Sequence, residues 1–331
     1  MSLPEPRTPI DRREFIARAA KAGISVAAAC SLGYWLHDRK GPGPARAGTD
    51  EVSLGNFSIP NLAPKMSIVT GADRAKTVNR ALQALGGIET FIKKGDRVLL
   101  KVNAAFATPA ALSATTHPDL LAEVARLCYR AGATSVIVTD NPINDPQSCF
   151  SLTGIAPAAQ SAGATVLLPQ DGYFQPTTVP GATLIKNWPV LYRPLQGVTK
   201  LIGLAPVKDH HRSGASMTMK NWYGLLGGRR NVFHQDINTI ILELAMMVKP
   251  TLVILDGTTT MMTNGPTGGS LDDLKRTNTL IVSTDQVAAD ACGATLLGKS
   301  VADLPYIARA AAAGLGTADF ESLHPIRAEA G

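Results

Sequence analysis

Lysine and histidine cluster at a few places in this 331-residue chain, and Lys208-Asp209-His210-His211 is the densest of them. Imidazole titrates near neutral pH, so it can exchange protons or ligate a metal. Adjacent side chains on an extended segment point to opposite sides, so one of the two histidines is expected to enter a site. A solvated loop is the bland alternative. Met219-Lys220-Asn221-Trp222-Tyr223-Gly224 follows, then Gly227-Gly228-Arg229-Arg230 and His234. Lys220 and Asn221 form a compact donor pair suited to a carboxylate or phosphate. The glycines would let backbone N–H groups approach an anion. No G-x-x-x-x-G-K-[ST] occurs, and no G-x-G-x-x-G follows a strand, so the common nucleotide fingerprints are missing.

These residues need elements to position them, and the chain alternates short β-branched runs with helical stretches. Strands are expected at 66–70, 97–103, 135–140 and 164–168, with helices at 74–85, 118–131 and 156–162. The middle, 170–199, is rich in Pro, Gly and Thr, with a further strand expected at 183–186. Strands at 200–207, 251–256 and 279–283 alternate with helices at 236–248, 286–297 and 304–313. This grammar predicts an α/β fold, with a mostly parallel or mixed sheet and helices on both faces. Residues 48–331 are expected to form a single α/β domain, or two lobes with the site in the crevice between them.

Ligands in such sheets bind beyond the carboxyl ends of the strands. Those ends read Lys101-Val102-Asn103, Thr139-Asp140-Asn141, Lys208-Asp209-His210, Asp256-Gly257 and Thr284-Asp285. Lys101 and Asn103 are therefore expected to face a ligand. His117 lies in Thr116-His117-Pro118. Either Thr116 caps the helix with Pro118 in its first turn, or His117 reaches the mouth of a crevice. Asp256 would bind a divalent metal or orient a histidine, and a turn-rich loop follows it to Gly269. Asp285 reads as a helix cap. Asp290 falls in an apolar helix, where a bare carboxylate needs a partner such as a metal.

Hydrophobic residues make up 45% and charged residues 18%, which excludes a disordered chain. The formal charge of +6 would raise nucleic acid or an anionic membrane as a partner. Position settles it differently. Residues 1–47 carry eight basic and four acidic side chains, so 48–331 are nearly balanced, with 24 against 22. Aromatic residues are only 5%, too few for base-stacking platforms, and nucleic acid drops out.

Arg12-Arg13-Glu14-Phe15-Ile16 resembles a twin-arginine export signal. A weakly hydrophobic stretch follows to Leu36, then Gly41-Pro42-Gly43-Pro44 and Ala45-Arg46-Ala47. Cleavage is expected after Ala47. This predicts passage through the twin-arginine translocase to a periplasmic or otherwise exported location, free after cleavage or membrane-anchored if uncleaved. Competing readings make 12–29 a helix of the fold, or Cys30 a lipoprotein cysteine. Cys128, Cys149 and Cys292 show no C-x-x-C spacing, so no iron–sulfur cluster on this chain's own cysteines is expected. One disulfide stays open; Cys128 and Cys292 read as buried thiols.

The ordered series Lys101-Val102-Asn103, Thr116-His117-Pro118, Lys208-Asp209-His210, Lys220-Asn221…Gly224, His234, Asp256-Gly257, Gly265-Pro266 and Asp285…Asp290 resembles the domain of unknown function 362 family over about residues 95–315. Many members carry a ferredoxin-type module whose cysteines are absent here, and Val102 stands where Pro is common. A looser likeness exists to the amino-terminal domain of the nickel-pincer lactate racemase family. The resemblance implies no settled activity. Two functions are expected from different classes. One is a binder of a small anionic molecule or a metal, or an enzyme acting on it. There Lys101, Asn103, His117, Lys220 and Asn221 hold the ligand, Lys208, His210 and His234 do the chemistry, and Asp256 and Asp290 serve a divalent metal. The other is a non-catalytic accessory protein with a redox partner in an exported iron–sulfur system.

Overall fold

The computed structural model describes residues 11–36 and 51–331. The expected cleavage point at Ala47 lies outside the described residues. The first stretch is one helix, α1 (Arg12–Leu36), with Phe15, Ile16, Ile24 and Val26 exposed. Among the described residues no helix is long and apolar enough to cross a membrane.

Residues 51–331 lie in a single compact unit, and two lobes are not seen. The sheet's strands are β1 (Met66–Thr70), β2 (Arg97–Lys101), β3 (Ser135–Thr139), β4 (Thr165–Val166), β7 (Lys200–His210), β8 (Gly214–Ser216), β9 (Leu252–Met261), β10 (Leu274–Ser283) and β11 (Ile326–Glu329). Their order is β11-β1-β10-β9-β7-β2-β3-β4, with β8 folded back on β7. The run β9-β7-β2-β3-β4 is parallel throughout. Strand β10 is antiparallel to both its neighbours. A separate hairpin pairs β5 (Phe174–Thr177) with β6 (Trp188–Leu191), and 183–186 is loop rather than strand.

Alternation along the strands sends apolar side chains to both faces. Leu201 and Ala205 of β7, with Val253 and Leu255 of β9, pack in one core. That core also takes α7 (Ile237–Met247), α8 (Gln286–Leu296) and α9 (Pro305–Ala312). Ile202, Leu204, Leu252 and Ile254 enter the other, beneath α2 (Arg74–Ala84), α3 (Pro118–Arg130) and α5 (Ile155–Ser161). The expected helices on both faces are thus present. The two remaining helices are α4 (Pro146–Leu152) and the single-turn α6 (Thr218–Asn221).

Two strands run further than expected, and one runs the other way. Strand β9 continues past Asp256-Gly257 to Met261, so Asp256 is mid-strand rather than at an end. Strand β7 continues through His210, beyond a register shift between Pro206 and Lys208. Because β10 is antiparallel, Ser283 pairs with Met66 at the opposite edge of the sheet. Asp285 therefore does not join the other strand ends. It caps α8 instead, accepting from Val287 and Ala288 N–H. Cys128, Cys149 and Cys292 are unpaired and buried, and burial raises their thiols to about 12, 11 and 12.

Candidate functional site

A cavity of about 510 Å³ opens at the carboxyl ends of β2, β3 and β7. Its lining includes Asn103, Asp140, Lys208, His210, His211, Lys220, Asn221, Tyr223, Arg230 and His234. Six of the expected site residues therefore meet there: Asn103, Lys208, His210, Lys220, Asn221 and His234.

Lys101 ends β2 directly beneath them. Its Nζ meets Asp140 Oδ1 at 2.7 Å, and donates to the carbonyls of Val102 (2.7 Å) and Asn221 (2.9 Å). Register makes this pair, since Lys101 lies opposite Thr139 in the parallel ladder. Asp140 also accepts from Ala104 N–H and Asn141 N–H. Burial lowers the Lys101 pKa, and Asp140 pulls it back up. Lys101 is thus a foundation for the site rather than a free ligand contact. Gly224 is required above it. A Cβ there would lie 1.8 Å from Asp140 Oδ1 and 2.7 Å from Lys101 Nζ. Asn221 ties the floor together, its Nδ2 donating to the carbonyls of Lys101 and Leu204.

Lys208 and Lys220 are the two lysines of the cavity lining, and neither is in an ion pair with a carboxylate among the described residues. Lys208 donates to the Ala114 carbonyl and sits 5.1 Å from the centre of the Phe106 ring. Burial lowers it to about 7, helped by Lys220. Lys220 lies 5.0 Å from the Tyr223 ring centre and makes no hydrogen bond among the described residues. Burial lowers it to about 7 as well, with Arg230 adding to the effect. Asp140 is the one carboxylate in the lining, and Lys101 already holds it.

The imidazoles form a stack. His210 lies 5.0 Å from His211 and 5.8 Å from His234 between ring centres, with interplanar angles of 10° and 16°. Only one of the adjacent histidines was expected to enter. Both do, because the chain leaves the strand at His210 and His211 begins the turn into β8. His211 is held there by Gly265, whose carbonyl faces both its N–H and its Nδ1. A Cβ on Gly265 would lie 1.9 Å from the Asp209 carbonyl, so this close approach needs glycine.

The hydrogen bonds assign the tautomers. His210 Nδ1 accepts from Arg212 and Ser213 N–H, so its ring proton is on Nε2. Burial, then Lys220 and Lys208, lower its pKa to about 2, and the ring is neutral. Tyr223 Oη donates to the Arg230 carbonyl and therefore accepts from His234 Nδ1 at 3.0 Å. With that proton on Nδ1, the His234 lone pair is on Nε2. Burial and Lys220 lower this ring to about 4. The cavity thus presents an N–H on one ring and an acceptor on the next. Lone pairs in near-parallel ring planes do not converge on one point. Among the described residues no group of three or more His, Cys, Asp or Glu could hold a metal ion.

Besides Lys101 beneath its floor, three expected site residues lie outside the cavity lining. His117 caps α3 itself, accepting from Asp119 N–H, while Thr116 bonds the Leu204 carbonyl. Asp256 pairs with Arg74 at 2.7 Å and accepts from Thr258 N–H. Asp290 is fully buried and has found its partners in Thr218 and Met219, at the start of α6. Nor does Gly227 offer its N–H to an anion, because that group donates to the Pro189 carbonyl.

Asp140 and Asn141, named in the sequence as a strand end, line the cavity, as do Arg230 and Tyr223, to which the sequence assigns no role. Arg230 binds four carbonyls, those of Tyr223, Leu226, Asn141 and Pro142. It clamps the 220s segment to the end of β3. The Gly-Gly-Arg-Arg run was the available signal, but nothing in it says which arginine turns inward.

A family model described as a domain of unknown function (DUF362) matches residues 98–295. A thylakoid-associated protein of Synechocystis sp. is 26% identical over 253 residues, covering 74% of this chain and 76% of that protein. The family match runs from β2 into α8 and takes in every cavity-lining residue named above. The chain belongs to the DUF362 family, and its cavity is built from the part that defines the membership.

Proposed function

We propose that residues 51–331 bind a small organic carboxylate in this cavity and exchange a proton with it. The observation that carries the reading is the pair Lys208 and Lys220, two buried amines lining a cavity whose one carboxylate is already neutralised. A buried cation without a counter-charge is costly, and an entering anion supplies one. His210 Nε2–H donates to the bound group, and His234 Nε2 takes up a proton. Such perturbed groups gathered in one cleft are the usual mark of a working site. Calorimetric titration with acetate, glyoxylate, malonate and 2-oxoglutarate tests the reading. Binding of at least one, lost in both Lys208→Gln and Lys220→Gln, is expected. Failure of all four to bind the folded protein contradicts it.

We infer also that the chain is exported by the twin-arginine route. Arg12-Arg13 at the start of α1 and the weak hydrophobicity of that helix support this. The Synechocystis relative is described as thylakoid-associated, which adds an expectation of a membrane-proximal address. Replacing both arginines by lysine should leave the protein in the cytoplasm. Unchanged export of that variant contradicts the inference.

A further inference from the structure

We propose that the site takes 2-oxo acids in particular, and that Lys220 condenses with their carbonyl carbon to form an imine. This rests on the carboxylate reading above and deepens it.

Three lysines approach the cavity, and their surroundings separate them. Lys101 is held by Asp140 and two carbonyls. Lys208 gives one of its N–H groups to the Ala114 carbonyl. Of the three, Lys220 alone makes no hydrogen bond among the described residues, and its amine lies against the Tyr223 ring face at 5.0 Å. It is also the most accessible of the three, 8% exposed against 1% and 0%, and it lines the open volume. A nucleophilic lysine needs this combination: an apolar or cationic surrounding that favours the free amine, no acceptor holding its proton, and access to a ligand. Its lowering to about 7 has the same origin, burial beside Arg230.

The rest of the lining completes the chemistry. The Lys220 nitrogen lone pair attacks the carbonyl carbon, and the C=O π pair moves to oxygen. The nitrogen gives one proton to His234 Nε2, which passes it on to that oxygen, while His210 keeps its Nε2–H and hydrogen-bonds the oxygen. Both histidines lie in the same lining, stacked 5.8 Å apart. The C–O bond then breaks as the hydroxyl leaves with the second nitrogen proton, giving C=N and one water. Protons and electrons balance, and no oxidant or reductant is needed. Lys208 remains to face the carboxylate.

Borohydride reduction tests this in the full-length protein. Pyruvate and 2-oxoglutarate are compared with isobutyrate and glutarate, which keep the carboxylates and lack the carbonyl. The expected result is a reduced adduct with each 2-oxo acid, mapped by peptide mass spectrometry to Lys220 and lost in Lys220→Met. Thermal stabilisation by all four acids without any adduct overturns the imine and leaves the carboxylate reading standing. Neither adduct nor stabilisation overturns both. An adduct mapped to Lys208, or spread over surface lysines and retained in Lys220→Met, overturns the assignment. Mapping in the unsubstituted protein keeps the test decisive should the variant not fold.

Discussion

The imidazole of His234 lies nearly parallel to that of His210, ring centres 5.8 Å apart, and the two carry their protons on opposite nitrogens. One ring offers an N–H and the other a lone pair within the same lining. Both are held neutral by burial beside Lys220.

That neutrality has a measurable pH signature. Both rings have folded pKa values below the ordinary 6.5, at about 2 and 4. The unfolded chain therefore binds more protons below pH 6.5, and stability falls as pH drops from 6.5 towards 4. In an NMR titration the His210 ring should show no midpoint between pH 5 and 8. A midpoint near 6.5 would show that the ring is solvated and the stack open.

The buried lysines act in the alkaline range. Folded values of about 7 for Lys208 and Lys220 lie below the ordinary 10.5. The folded protein releases these protons first, so they add stability as pH rises from about 7 to 10.5. Melting temperatures of the unliganded protein, compared with the double variant Lys208→Met/Lys220→Met, should show this rise only with the lysines present.

Gly224→Ala is expected to be severe. Its methyl group would need the space of Asp140 Oδ1 and would press on Lys101 Nζ. Overpacking costs roughly 1–3 kcal/mol. Disrupting a buried ion pair adds about 3–5 kcal/mol. Denaturant unfolding should show a loss of at least about 3 kcal/mol. A change under 1 kcal/mol, in the range of an ordinary surface substitution, would mean that the Lys101–Asp140 pair is not built as described.

Asp290→Ala tests a carboxylate that the sequence left without a partner. Its oxygens accept from Thr218 N–H at 2.7 Å, Thr218 Oγ1 at 2.5 Å and Met219 N–H at 3.2 Å. Each buried donor left unpaired costs about 1–3 kcal/mol. The variant should lose at least about 2 kcal/mol, and metal chelators should not reproduce that loss in the unsubstituted protein. A loss of stability on chelation would return Asp290 to a metal.

The parallel part of the sheet is legible because short continuous apolar runs alternate with period-3.6 ones, as in 97–103 followed by 118–131. Strand ends pointed to Lys101, Asn103 and Lys208 for the same reason. The reading failed where direction matters. Thr279–Ser283 reads the same in either orientation, and only its pairing reveals that Asp285 lies at the other edge. Strand length misled at Asp256, because Gly257-Thr258-Thr259 looks like a turn and is held in β9 by pairing with β10. Arg230 and Tyr223 were missed because their partners, Asn141 and His234, are tertiary choices that local pattern does not encode.

If a carboxylate completes the charge of Lys208 and Lys220, its binding must depend on pH. An anion favours the protonated amines, so binding above pH 7 requires proton uptake. The dissociation constant of the best-binding acid, measured by calorimetry from pH 6 to 9, should be flat below about 7. Above it the constant should weaken by up to about tenfold per pH unit for each proton taken up. A dissociation constant that stays level from pH 6 to 9, unchanged in Lys208→Gln and Lys220→Gln, would contradict the account.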